Sequence, residues 1–71
     1  MNASRTTKLI HEGPYAAEVD VELVSDDGPW GPYLTVEATK KLEEVRAALK
    51  RGDLKAAAKL GRVYSLTPVA V

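Results

Sequence analysis

A chain of 71 residues with no cysteine and a formal charge of zero excludes several classes of protein at once. It can form one small domain, burying only roughly 60% of the surface its unfolded form exposes. It has neither a disulfide framework nor thiolate metal ligands, and it lacks the net basicity of a dedicated nucleic-acid binder.

The neutral balance hides a division. Residues 1–39 hold two cations against seven acids, whereas residues 40–71 hold eight against three. Such asymmetry points to a charged partner, or to pairing of one half with the other. The N-terminal MNASRTTKLI has no apolar run of signal-peptide length, and no stretch of about 18 apolar residues occurs anywhere. The expectation is a soluble, cytoplasmic protein with no membrane association, residues 1–71 forming a single domain.

Residues 5–12, RTTKLIHE, are rich enough in β-branched and apolar types for a short strand, and Gly13-Pro14 supplies a turn. From Tyr15 the pattern alternates strictly: Val19, Val21 and Leu23 on one face, Glu18, Asp20 and Glu22 on the other. Together the two strands form an antiparallel hairpin, which needs an apolar partner on its inner face.

The segment DDGPWGPYLT, residues 26–35, sets the sole tryptophan, Trp30, and Tyr33 among two glycines and two prolines. It reads as a connection in which the aromatics close the end of the core, or as one holding them at the rim as anchors for a partner. The pattern allows a short third strand over residues 33–36.

Thr35 is suited to N-cap a helix running to about Arg51, with Glu37 in its first turn and Ala38, Leu42, Val45 and Leu49 as its apolar stripe. Glu37 and Lys41 are spaced to pair at i,i+4. Gly52 fits a left-handed terminator and Asp53 the N-cap of a second helix, LKAAAKLGRVY, completing an αα-hairpin. On that second helix Lys55, Lys59 and Arg62 share a narrow basic face, and apolar residues fill the rest of an arc far wider than one contact requires. The arc predicts a homo-oligomer. Pro68 ends any helix, leaving residues 66–71 as a flexible tail. The fold class expected is α+β: an antiparallel β-hairpin packed on an αα-hairpin.

No cofactor or metal is expected. His11, the single histidine, reads as a partly buried strand residue, and Asp26-Asp27-Gly28 lacks the spaced oxygen ligands of a calcium loop. Two surfaces stand out. Glu18, Asp20 and Glu22 form either a solvated sheet face with cross-strand partners such as Lys8, or a rail for docking a basic protein. Lys55, Lys59 and Arg62 form either the wet side of a helix or a phosphate-contacting face of a homodimeric nucleic-acid-binding regulator. Catalysis is not expected, because nothing supplies the apolar pocket that would raise a carboxyl pKa.

The segments HEGPYAAEVDVEL, WGPYL and KLEEVRAALKRGDLKAAAKLGRVYSLTPV together resemble a family of small, largely uncharacterised prokaryotic proteins, some of them suspected antitoxins of toxin-antitoxin pairs. Its members share a His-Glu-Gly turn, a Trp-x-Pro-Tyr-Leu segment and a Gly-Asp-Leu turn, and no catalytic residues. This chain departs from the family pattern at Gly31, where serine is usual, and at Gly61, where alanine is usual. The resemblance implies a non-enzymatic, antitoxin-like module that blocks a basic, ribonuclease-like toxin. Glu18, Asp20 and Glu22 would supply the charge, and Trp30, Tyr33 and Leu66 the apolar contacts.

Overall fold

The computed structural model describes residues 2–25 and 33–70. The protein is α+β, with the order β1 (Asn2–Glu12), β2 (Tyr15–Ser25), β3 (Tyr33–Leu34), α1 (Val36–Arg51), α2 (Leu54–Ala58) and β4 (Arg62–Ser65). All pairings in the sheet are antiparallel. Strand β2 is central: β1 lies along its whole length, while β3 pairs at Leu23 and Val24 and β4 at Tyr15 to Glu18.

The β1-β2 hairpin is longer than the sequence pattern suggested, because pairing continues without interruption from Glu12↔Tyr15 to Asn2↔Ser25. At its turn Gly13 has φ +56°. A positive φ followed by the fixed φ of Pro14 is the pattern of a II′ turn, whose twist matches that of the flanking strands.

Alternation along β2 sends Ala17, Val19 and Val21 into the core, where Ile10 of β1 joins them. Helix α1 covers this face with Ala38, Val45, Ala48 and Leu49, all buried, and Ala57 of α2 completes the cluster. The expected stripe is present, with Leu42 half-buried at its margin.

Both helix boundaries have clear physical causes. Thr35 accepts a hydrogen bond from the Ala38 amide at 3.0 Å, and Asp53 accepts one from the Ala56 amide at 3.1 Å. Each side chain thereby satisfies one of the orphan donors at a helix start. Gly52, at φ 74°, ends α1. Its amide donates to Leu49 O at 3.1 Å and the Asp53 amide to Ala48 O at 2.8 Å, the paired bonds of a Schellman motif.

The second helix differs from expectation. It stops at Ala58, and Arg62 to Ser65 form β4. Gly61 is the reason for the break: a Cβ there would lie 2.6 Å from Glu18 O and 3.0 Å from Val19 Cγ2. Glycine lets the chain press against β2 and join its edge, so it belongs to a close approach and not to a helix interior. The wide apolar arc therefore does not exist as one surface. Ala57 is buried, Leu60 and Val63 pack against the core, and the reason for expecting a homo-oligomer from that arc is removed.

Candidate functional site

Paired residues across an antiparallel ladder project to the same side, so register alone assigns the two faces of the sheet. One face meets the helices. The other holds Arg5, Thr7, Leu9 and His11 from β1, Ala16, Glu18, Asp20 and Glu22 from β2, and Arg62 and Tyr64 from β4. Among the described residues no element covers this outer face. Leu9 is 70% exposed and Tyr64 45%.

Three strands meet at its centre. The terminal nitrogens of Arg62 fork onto Asp20, Nη1 to Oδ2 at 3.3 Å and Nη2 to Oδ1 at 3.2 Å, while Nε reaches Glu18 Oε1 at 3.5 Å. Thr7 donates its hydroxyl to Asp20 Oδ1 at 2.7 Å, and Tyr64 donates its hydroxyl to Glu18 Oε1. Glu22 sits opposite Arg5 with no hydrogen bond or ion pair among the described residues. Lys8 faces the helix side opposite Val19, so the cross-strand partners of the acids are Leu9, Thr7 and Arg5.

These contacts determine the charge states. Hydrogen bonds from Arg62 and then Thr7 lower the Asp20 carboxyl from 3.8 to about 2. The Tyr64 hydroxyl, followed by Arg62, lowers Glu18. Arg62 is raised by the hydrogen bonds and charge of Asp20, and Tyr64 is raised because its proton is held by Glu18. Both acids are thus fixed as anions at neutral pH, whereas a general acid needs its carboxyl pKa raised.

The rail is consequently not a row of three free charges. Its two central members are clamped by a cation from the far end of the chain, which answers part of the charge asymmetry internally. Elsewhere Arg46 of α1 pairs with Glu12 at 2.8 Å, and Lys41 donates to the Asp20 carbonyl at 2.9 Å, in place of the expected pairing with Glu37.

The structure separates the other candidate residues. Lys55 is on α2 and Lys59 at its C-terminal cap, but Arg62 is on β4 and committed to Asp20 and Glu18, so the three do not form a basic helix face. Tyr33 is exposed on β3 opposite Val24, at one end of β2. Leu66 follows β4 at the other end, its amide donating to Pro14 O at 2.8 Å. Ten residue steps along β2 put these two about 30 Å apart, so they flank the acids and do not cluster with them. Trp30, Gly31 and the Asp26-Asp27-Gly28 segment lie outside the described residues.

His11 is exposed, not partly buried, and its Nε2 lies 2.9 Å from Gly13 O at the hairpin turn. A side chain opposite small Ala16 at the rim of the outer face has no covering layer to bury it. Among the described residues no group of three or more His, Cys, Asp or Glu is arranged to hold a metal, and no helix is long and apolar enough to cross a membrane.

Thr7 and Tyr64 are the site residues that pattern reading missed. The available signal for a strand was the β-branched and aromatic pair Val63-Tyr64 following Gly61. Comparison with protein-family models, curated proteins and solved structures finds no match.

Proposed function

We propose that this protein is a small, non-enzymatic, antitoxin-like binding module that docks a basic protein on the open face of its sheet. The observation that carries this reading is the ordered acceptor cluster on that face. Arg62, Thr7 and Tyr64 hold Glu18 and Asp20 in place, Glu22 continues the row, and Leu9 and Tyr64 offer apolar surface beside it.

Because Arg62 and Arg5 offset part of the acidic charge, the face suits short-range recognition better than long-range steering. Preordered acceptors lower the ordering cost of receiving a partner's guanidinium or ammonium groups. Glu22 and the remaining oxygen of Glu18 are the acceptors best placed for them. Tyr33 and Leu66 would extend the contact at either end. A chain without cysteine is suited to a reducing interior, and we place its action in the cytoplasm.

The test begins with purification from the native cells at low salt, with and without nuclease. The basic protein that co-purifies in defined stoichiometry is then titrated calorimetrically against wild type, Glu22→Lys and Tyr64→Ala. A loss of tenfold or more in affinity for either variant, with the fold retained by circular dichroism, supports the reading. Unchanged affinity in both refutes it, and bound material removed by nuclease redirects attention to Lys55 and Lys59.

A further inference from the structure

The outer edge of β1 carries an ordered set of main-chain groups that no described element uses. Their identity follows from register. A two-residue turn closes on the hydrogen-bonded pair Glu12↔Tyr15, and hydrogen-bonded and non-bonded pairs then alternate along the hairpin. Even-numbered residues of β1 therefore bond to β2, and even-numbered residues of β2 point to its other edge. Two contacts agree with this parity: the Leu66 amide reaches Pro14 O at 2.8 Å, and Lys41 reaches Asp20 O at 2.9 Å. The N–H and C=O groups of Ala3, Arg5, Thr7, Leu9 and His11 consequently face outward from β1.

Long open edges are normally guarded by proline, a bulge, shortening or charged side chains. This strand runs 11 residues, contains no proline and keeps unbroken register, so its guards are charged side chains such as Arg5 and Lys8. The outward groups are also symmetric about Thr7.

We propose that β1 pairs antiparallel with β1 of a second copy, about a two-fold axis through Thr7. Thr7 then faces Thr7 of the other copy, Arg5 faces Leu9, and Ala3 faces His11. Every outward group is used, giving about ten main-chain hydrogen bonds. The Arg5 stem lies over Leu9, which is 70% exposed in the single chain. Charge selects the same register, since a shift that centres the pairing on Lys8 sets two lysines directly opposite one another, a destabilising arrangement. The axis stands perpendicular to the sheet, so both helical layers share one side and both acidic clusters the other. This inference is independent of the proposed docking of a basic protein.

The test is amide hydrogen exchange by NMR on the wild-type chain, from micromolar to millimolar concentration, alongside sedimentation equilibrium. The expected result is a dimer in which the amides of Arg5, Thr7, Leu9 and His11 slow by tenfold or more as it forms, with Thr6 and Lys8 protected throughout. A monomer at millimolar concentration overturns the proposal, as does a dimer whose odd-numbered β1 amides stay unprotected, or protection that arises only with a different protein. As a second arm, Leu9→Pro removes an outward N–H and leaves the β1-β2 ladder its bonds. It is expected to yield a folded monomer, and a folded dimer of undiminished affinity would refute the pairing. If the variant does not fold, the wild-type exchange pattern decides the matter.

Discussion

Arg62 and Asp20 are 42 residues apart in sequence, yet the guanidinium of one forks onto the carboxylate of the other at 3.2 and 3.3 Å. The pair joins β4 to the centre of β2 on the open face, and a pH dependence of stability follows from it. Asp20 is depressed from 3.8 to about 2 in the folded chain. A carboxyl lowered by folding contributes stability above its unfolded pKa, and that contribution fades as pH falls through the folded value. Wild type should therefore exceed Asp20→Asn in stability by a constant margin above about pH 4, and the margin should close toward pH 2. Urea unfolding of both proteins from pH 2 to 7 checks this, and parallel profiles would contradict it.

The cause of that depression can be tested separately. Removing Arg62 leaves Thr7, among the described residues, as the remaining hydrogen-bond donor to the Asp20 carboxylate. In Arg62→Ala the Asp20 carboxyl should titrate closer to its ordinary value than in wild type, as followed by its carbon chemical shift. Arg62→Lys should fall between the two, since an ammonium keeps the charge but not the fork. An unmoved Asp20 in Arg62→Ala would show that the clamp does not set its pKa.

Gly61 offers a prediction of sign. In a helix interior, replacing glycine by alanine would stabilise by about 1 kcal/mol. Here an added Cβ meets the Glu18 carbonyl at 2.6 Å, so Gly61→Ala should destabilise by about 1–3 kcal/mol as the strand is forced away. A raised urea midpoint would mean that β4 is not seated as described.

The core is small enough for one side chain to matter. Val45 is fully buried between the helix and the sheet. Val45→Ala removes two methylene equivalents at about 0.8 kcal/mol each and leaves a cavity, a loss of roughly 2–3 kcal/mol in all. Thermal unfolding should show a markedly lower midpoint, and a shift near zero would place Val45 outside the core.

Thr35 tests the helix start. Its side chain holds the Ala38 amide at 3.0 Å, and Thr35→Ala should cost about 1 kcal/mol. Thr35→Asp should retain most of the stability, because aspartate is an equally good N-cap. Equal losses in both variants would contradict the capping role.

What the sequence by itself determined is what local chemistry determines. Alternation over Val19 to Leu23 defined the buried and open faces of β2; Thr35, Gly52 and Asp53 marked helix boundaries; the apolar spacing from Ala38 to Leu49 identified the face of α1. Each signal depends on residues within a few positions of one another, where backbone preference and periodicity suffice. The residues from Lys59 to Ser65 were decided by tertiary structure. Their local pattern fits a helix, but the open end of the β2 edge offers main-chain partners, and Gly61 permits the approach that reaches them. That choice moves Arg62 from a basic helix face to the acids of β2, where it clamps Glu18 and Asp20. Long-range pairing changes which charges meet, and short-range periodicity carries no information about that meeting.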